Sequence, residues 1–435
     1  MQYTRPTLAL SNPNSIQSHD EDDQFEQFDI ELGDLALAFA TIADPRRAQG
    51  RVYWLSSLLC MAVGAILCNC LSVLAIAEWG AGLSPTIRQA LGLPIDRSPN
   101  QSTLHRLFLQ LDPRKLSMAL TDYFEGALAT QATHKQTRKT RKRGEQAVAV
   151  DGKARKGQLQ FELNDPSSDD GRSSACTIHD IEAFSHEVGV VLAQVALDNQ
   201  GGEVELTGAP RLLDCISWQG RVMTGDALYC QVNLCEAVLA DEGDYLLVVK
   251  GNQGQLLEEL EVLFEAPQMQ NAHQANLGEF DYRVASTIDK GHGRIEQRTA
   301  IASKELAGYS RWPGLSQVVQ IRRIWERKGV TKRATRYVVT SLPAHEASVQ
   351  RLLELARGHW SIENRLHYVK DVTLGEDRSL IHVGQGGAIM SALRSAVVSL
   401  LHKAGRHRIA STLRANSQHP EQALIIMGLL NSSHA

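Results

Sequence analysis

Residues 146–153, QAVAVDGK, decide the fold class, because the chain changes its pattern at this point. The apolar run at residues 147–150 is typical of a buried strand, and we predict that this strand ends at Asp151. Upstream the hydrophobic pattern is helical, whereas downstream predicted strands alternate with predicted helices. The sequence therefore predicts an α/β fold with a mixed sheet, preceded by a small all-helical domain.

The chain after residue 153 supplies the other elements of this core. Its predicted strands are CTIHDIEAFS, VGVVLAQVAL, RVMTGDAL, DYLLVVKG and TRYVVTSL, and its predicted helices cover residues 205–215, 231–240 and 348–372. The strand RVMTGDAL is predicted to end at Asp226, so a second aspartate lies where α/β sheets usually build their sites. A highly charged strand pattern at residues 278–335 predicts a β-rich insertion.

The chain before this core is predicted to be helical. Residues 1–30 are polar and acidic and predict a disordered tail. Residues 31–130 predict one helical domain, with helices within 52–80, 84–91 and 101–111. Three arginines in its sequence DPRRAQGR either contact DNA phosphates or are simply solvated: Arg46, Arg47 and Arg51.

Composition and charge exclude several classes of protein. The chain has 435 residues, of which 43% are hydrophobic and 22% charged, and this excludes disorder throughout. Eight acidic residues and no Lys or Arg lie from Asp20 to Asp34, so the net charge of −4 becomes +4 for the remaining chain. Seven cysteines without a C-x-x-C pair fit neither a disulfide framework nor a zinc ribbon, and they predict a reducing, cytoplasmic location.

The uncharged stretch Val52–Ala77 is long enough, at 26 residues, to span a bilayer. Serines, Gly64 and the sequence Cys68-Asn69-Cys70 dilute its hydrophobicity and favour a break in the middle. We therefore predict two buried helices and no membrane association, with a transmembrane span as the alternative. The first residues also lack the apolar core of a secretory signal.

Two basic segments are candidates for binding the DNA backbone, with a solvated surface as the alternative for both. KQTRKTRKR at residues 135–143 has six basic residues in nine and forms a linker, and residues 322–336 have seven basic residues against one acidic residue. The predicted contacts in these segments are Arg138, Lys139, Arg141, Lys142, Arg143, Arg322, Arg323, Arg327 and Lys328. Lys250, at a predicted strand end, is a further candidate, although a turn explains the residues after it equally well.

The predicted helix at residues 348–372 carries two stripes at helical spacing. The first stripe is apolar and predicted to be buried: Leu352, Leu355, Ile362, Leu366 and Val369. The second stripe places one carboxylate between an aromatic ring and two basic groups: Ala356, Trp360, Glu363, His367 and Lys370. Glu363 therefore joins Asp151 and Asp226 as a site candidate, although an acidic residue at a strand end is more often a turn or helix cap.

Six motifs follow one another along most of the chain: DPRRAQGR, VDGKARKG, TGDALYCQ, GDYLLVVKGNQ, HGRIEQR and RGHWSIENRLHYVKDV. In this order they resemble the motifs of bacterial insertion-sequence DDE transposases of the H-repeat-associated group. The resemblance implies a ribonuclease-H-like core at residues 147–265 and 336–405, interrupted by the β-rich insertion at residues 266–335. A basic linker at residues 131–146 precedes this core, and a C-terminal tail at residues 406–435 follows it.

The resemblance also implies the chemistry of the site. The acidic triad of the family maps onto Asp151, Asp226 and Glu363. These carboxylates would hold two divalent ions, Mg²⁺ or Mn²⁺, that stabilise the attacking and leaving oxygens of an in-line displacement.

The chain departs from the family pattern around the glutamate. Many relatives carry Tyr and Arg seven and four residues before it, and Lys seven residues after it. Here these positions are Ala356, His359 and Lys370, so only the lysine matches. We therefore assign the phosphate-holding role of the arginine to Arg357, His359 or Lys370.

The predicted function is DNA transposition. The protein would bind double-stranded DNA at element ends and at the target, as a homodimer in the DNA complex, and catalyse metal-dependent strand cleavage and strand transfer. Two alternatives stay open, a catalytically silent DNA-binding relative and a nuclease without strand transfer. The expected location is the cytoplasm, at the nucleoid when DNA is bound.

Overall fold

The computed structural model describes residues 34–135, 143–161, 175–198, 202–265, 281–291, 294–327, 329–379, 381 and 384–431. These residues form two compact units. The helical unit comprises the described residues up to Leu111 and those from Ala410 onward, and the sheet unit comprises Asp112–Ile409.

The helices are α1 (Asp34–Ala40), α2 (Leu55–Leu67), α3 (Val73–Ala81), α4 (Pro85–Ala90), α5 (Gln101–Gln110), α6 (Pro113–Lys135), α7 (Glu205–Leu213), α8 (Val232–Ala240), α9 (Gly254–Glu265), α10 (Val349–Gly358), α11 (Gly386–Lys403), α12 (Ile409–Gln418) and α13 (Pro420–Ile426). The strands are β1 (Gln146–Phe161), β2 (Ala175–Ser185), β3 (Val191–Ala196), β4 (Arg221–Gly225), β5 (Asp244–Val249), β6 (Arg283–Gly291), β7 (Arg294–Ser303), β8 (Gln317–Arg327) and β9 (Val330–Thr340).

The helical unit is built around α2, which is buried along its whole length. After it, Asn69 adopts a φ of 67°, a left-handed conformation that asparagine tolerates better than most residues. Helix α3 then begins after Ser72, whose hydroxyl accepts a hydrogen bond of 3.1 Å from the backbone N–H of Ala75. The predicted pair of helices is confirmed, but only α2 is buried throughout, whereas α3 buries one face. Within the described ranges no helix is long and apolar enough to cross a membrane.

The limits of the helical unit differ from the predicted domain. Helices α12 and α13 lie in residues 406–435, which were predicted as a tail, and they belong to this unit. Asn416 Nδ2 donates to the carbonyl of Leu67 at 3.1 Å, so α12 covers the end of α2. Helix α6, predicted within the helical domain, instead packs against β3 in the sheet unit.

The sheet unit contains one mixed sheet of nine described strands in the order β3-β2-β1-β4-β5-β9-β8-β7-β6. Strands β1, β4 and β5 are parallel to one another, whereas the other neighbouring pairs are antiparallel. The first five strands, ordered β3-β2-β1-β4-β5, form the ribonuclease-H-like core. Strands β6 to β9 extend the same sheet through the β5–β9 pair, which confirms β structure in the described part of the predicted insertion.

Strand β1 is longer than predicted. It pairs with β4 only as far as Val150, but it continues beside β2 as far as Phe161. The prediction that the strand ends at Asp151 is therefore wrong. Two charged residues after Asp151, Lys153 and Arg155, are buried in the strand against carboxylates.

The predicted helix at residues 348–372 is interrupted. Helix α10 ends at Gly358, and the backbone then takes π-helical geometry at Glu363–His367 and Val369–Thr373, which we call the π segment. The predicted apolar stripe is confirmed, since all five of its residues are buried: Leu352, Leu355, Ile362, Leu366 and Val369. Because π turns add a residue per turn and often occur at functional sites, this interruption draws attention to Glu363.

Candidate active site

Adjacent parallel strands place the first two carboxylates side by side. Val150 on β1 is paired with Gly225 on β4, and each is followed at once by an aspartate, Asp151 or Asp226. Neighbouring strands lie about 4.8 Å apart, so the two aspartates belong to one site. Asp226 Oδ1 also accepts a hydrogen bond of 2.8 Å from the backbone N–H of Leu228, which fixes the turn after β4.

The π segment brings a glutamate and a histidine to the same point. His367 Nδ1 lies 3.2 Å from Glu363 Oε2 and 3.8 Å from Asp151 Oδ2. One ligand atom from each of these three residues lies within 4.8 Å of the others. Ligand atoms lie about 2.1 Å from a bound Mg²⁺, so two ligands of the same ion are at most about 4 Å apart. The three side chains therefore need to move only slightly to bind one divalent cation.

A fourth carboxylate, that of Glu205, lies beside Asp151 at the start of α7. It accepts a hydrogen bond of 3.2 Å from the hydroxyl of Tyr229, and His179 Nδ1 is 3.5 Å away. A Cβ atom at Gly152 would overlap the carboxyl group of Glu205. Gly152 therefore leaves room for the close approach of this side chain to β1.

Electrostatics at Asp151 favour a cation. The pKa of Asp151 is raised to about 6, mainly by burial, with His367 opposing the rise and the charges of Asp226 and Glu205 adding to it. The negative charges of these two neighbours disfavour ionisation of Asp151 until a positive charge arrives. The arrangement is therefore one that a bound cation would stabilise.

Behind the site, Glu182 on β2 is the direct cross-strand partner of Asp151. Its Oε2 lies 3.1 Å from His367 Nε2, and its Oε1 accepts hydrogen bonds of 2.7 Å from both Lys370 Nζ and Ser395 Oγ. Burial alone would raise the pKa of Glu182, but Lys370 and His367 lower it strongly. Glu182 is thus a buried, ionised carboxylate between two basic groups.

This carboxylate belongs to a larger buried network of alternating charges. Glu376 lies 3.6 Å from Lys370, 3.6 Å from Lys153 and 3.8 Å from Arg394. All four of these side chains are at most 4% exposed. Buried charges are tolerated only when paired, so the network fixes the π segment against β1, β2 and α11.

Two of the predicted phosphate contacts are buried. Lys370 has no exposed side-chain surface, and His359 is 8% exposed with its Nδ1 3.3 Å from Thr224 Oγ1. Burial also lowers the pKa of His359 to about 4, so its ring is neutral at pH 7. We therefore withdraw both as phosphate contacts, because neither presents a charge at the surface.

Several other predicted DNA contacts are paired within the chain. Arg46 donates two hydrogen bonds to Asp44, and Arg51 donates to the carbonyls of Asp44 and Arg46. Arg143 pairs with Asp244 at 2.8 Å, and Arg357 pairs with Asp289 at 3.0 Å, but both arginines keep exposed surface. In the sheet, Arg322 donates to Gln320 and Arg323 donates to Glu296.

The remaining predicted contacts fall into two groups. Arg47 and Lys250 are exposed. Arg138, Lys139, Arg141, Lys142 and Lys328 lie outside the described residues, as does the side chain of Arg327.

Exposed basic residues lie on both faces of β9, and one of them contacts a residue just before the π segment. Lys332, Arg333 and Arg336 are exposed, and the guanidinium of Arg336 lies 5.3 Å from the ring centre of Trp360. Trp360 is only three residues before Glu363. Arg336, on the extended sheet, therefore contacts a side chain close in the chain to Glu363.

Three residues of the site were not assigned a role from the sequence: Glu182, Glu205 and His367. A signal for Glu182 exists in CTIHDIEAFS, because Asp180 and Glu182 share one face of the predicted strand with the apolar residues Ile178 and Phe184. Acidic residues on a buried strand face are rare unless paired, so this spacing indicates buried cations nearby.

Gly152→Ala should destabilise the protein by less than about 1 kcal/mol, because the new methyl group meets only the carboxyl end of the flexible Glu205 side chain, which moves away from Asp151. Urea unfolding followed by circular dichroism measures this change. The matched control is Gly126→Ala on α6, where a Cβ meets nothing within 4 Å and should stabilise by about 0.5–1 kcal/mol. A stabilisation of Gly152→Ala equal to that of the control would contradict the close approach.

Comparison with known families agrees with this geometry. Residues 142–386 match the family model described as Transposase DDE domain, and residues 36–124 match the DDE_Tnp_1-associated model. The chain belongs to the DDE transposase family. It is thus a transposase, a member of a family of DNA-cleaving enzymes. One match lies within the sheet unit, and the other covers most of the helical unit and the first half of α6.

Relatives of this transposase occur in Escherichia coli. The chain is 27% identical to "Putative transposase YncI" of strain O157:H7 over 405 residues, covering 89% of this chain and 94% of the relative. It is 31% identical to "H repeat-associated putative transposase YhhI" of strain K12 over 232 residues, covering 52% of this chain and 58% of the relative. The predicted kinship with the H-repeat-associated group is confirmed.

Proposed function

We propose that this transposase cleaves DNA strands at the ends of an insertion sequence and joins them to target DNA at a divalent-metal centre. Asp151, Asp226 and Glu363 are the proposed ligands. The observation that carries the proposal is that ligand atoms of Asp151, Glu363 and His367 lie within 4.8 Å of one another. The pairing of β1 with β4 places Asp226 next to Asp151 at the same position.

The three carboxylates come from elements of different rigidity. Asp151 lies inside β1 and Asp226 directly follows β4, so both are fixed by the core of the sheet. Glu363 comes from the π segment, and its side chain is 53% exposed, which leaves the site open to a large substrate on that side. When bound, two Mg²⁺ or Mn²⁺ ions would stabilise the charge on the attacking and leaving oxygens.

The DNA backbone is proposed to follow the exposed basic residues of the sheet extension towards Glu363. Lys332, Arg333 and Arg336 contribute charge on β9, and Arg357 contributes charge on α10. Arg47 in the helical unit and Lys250 after β5 are further candidates. Transposition joins two element ends to one target, so we also propose that the protein acts as a homodimer on double-stranded DNA.

Neutralising basic residues of β9 tests this DNA path. In Lys332→Gln/Arg333→Gln, the slope of log affinity against log salt should flatten by about 0.9 for each phosphate that is no longer bound. Fluorescence anisotropy with labelled duplex at several salt concentrations measures the slope. The matched control is Arg114→Gln/Lys115→Gln, which removes two exposed charges from α6. An unchanged slope in the β9 variant would show that these side chains are solvated and do not bind phosphates.

A single assay tests the proposed reaction. Purified protein is mixed with labelled element-end DNA and a target plasmid, with Mg²⁺, Mn²⁺ or a chelator. Nicked and joined products that require the metal support the proposal. Nicked products without joined products indicate a nuclease, and binding without either product indicates a catalytically silent relative.

A further inference from the structure

The two ring nitrogens of His367, the histidine of the site, face different carboxylates. Nδ1 of His367 faces the two carboxylates Glu363 and Asp151, at 3.2 Å and 3.8 Å. Nε2 faces the buried Glu182 at 3.1 Å. The ring is 3% exposed, so it has no surface for a direct contact with a DNA phosphate.

This placement has the form of a metal-binding histidine with its supporting carboxylate. In such sites one ring nitrogen binds the ion, and the other is held by a carboxylate that fixes the ring orientation and makes the ligand more basic. Glu182 is suited to the supporting role because Lys370 and Ser395 hold its other oxygen. Glu363 and His367 are also four residues apart, which puts both donors on one face of the π segment.

We infer that Nδ1 of His367 is a nitrogen ligand of the metal bound by Asp151 and Glu363, positioned by Glu182. This inference rests on the proposed metal centre and adds a fourth protein group to it. Mg²⁺ strongly prefers oxygen ligands, whereas imidazole suits transition-metal ions better. Loss of His367 should therefore weaken the binding of Mn²⁺ more than the binding of Mg²⁺.

Pulsed electron paramagnetic resonance of bound Mn²⁺ tests the inference directly. The full-length protein is loaded with less than one equivalent of Mn²⁺, without DNA. Electron spin echo modulation should contain a ¹⁴N coupling from a directly bound imidazole. Protein grown with ¹⁵N-labelled histidine should show the ¹⁵N pattern instead, and this comparison needs no substitution that could disturb folding.

Variants assign the signal to one ring. The coupling should disappear in His367→Gln and persist in His345→Gln, which makes the same change at a residue that is 79% exposed. Glu182→Gln should keep the coupling but weaken Mn²⁺ affinity by about 10–100-fold, as expected for removal of a supporting carboxylate. Circular dichroism melting curves identify any variant that has unfolded.

The outcomes separate this inference from the proposed metal centre. Mn²⁺ that binds in the wild type, fails to bind in Asp151→Asn and shows no nitrogen coupling would overturn the role of His367 and leave the carboxylate centre standing. In that case His367 is an imidazolium that donates to Glu363. Mn²⁺ binding that is unaffected by Asp151→Asn would overturn both.

Discussion

Asp151→Asn is expected to lower the rates of strand cleavage and strand transfer by at least about 10³-fold while leaving DNA affinity largely intact. The substitution keeps the size of the side chain but removes the charge that faces Asp226, Glu363 and His367. Phosphate binding is proposed to use other groups, chiefly those of β9, so a filter-binding or anisotropy assay should give nearly the wild-type affinity. Gel analysis of labelled products measures both reaction rates.

The other triad positions should behave in the same way. Asp226→Asn and Glu363→Gln each remove one proposed metal ligand, and each should abolish both reactions. Glu354→Gln is the matched control, because Glu354 is an exposed glutamate on the neighbouring helix α10. A triad variant that keeps near-normal metal-dependent activity would show that its residue is not a ligand.

Lys370→Met is expected to destabilise the protein by about 3–5 kcal/mol, the usual cost of removing one partner of a buried ion pair. The substitution leaves Glu182 and Glu376 buried without the ammonium group that lies between them. Urea unfolding at pH 7 measures the change in stability. Lys304→Met, which removes an exposed lysine, is the matched control and should change stability by less than about 0.5 kcal/mol.

A double-mutant cycle identifies the partner of Lys370. Glu182→Gln removes the charge that Lys370 neutralises, so the double variant Glu182→Gln/Lys370→Met should be more stable than the sum of the two single changes predicts. Additive effects, or a destabilisation below about 1 kcal/mol in Lys370→Met, would contradict the buried pair and reopen a role for Lys370 at the surface.

Burial imposes a regular pattern on a chain, and this made much of the fold predictable. Apolar runs and turn residues predicted the described strands of the core and the buried helix pair. The length of β1 was not predictable, since Lys153 and Arg155 have the pattern of a solvated loop. Their partners are contributed by residues remote in the chain, including Asp180 and Glu376, and only the fold brings these together.

The site was predictable in part for the same reason. The position of Glu363 on a helix and of Asp226 at a strand end could be inferred from local sequence. The role of Lys370 could not, because helical spacing places it beside His367 but does not show whether that face is exposed. Lys370 is buried because the helix is interrupted and because α11 packs over this face.

Anomalous diffraction from crystals soaked in Mn²⁺ would locate the proposed metal centre. We expect a peak within ligand distance of the carboxylates of Asp151 and Glu363, and a neighbouring peak beside Asp226 when DNA is bound. Mn²⁺ peaks that lie elsewhere, at a concentration that supports strand cleavage in solution, would contradict a metal centre at this triad.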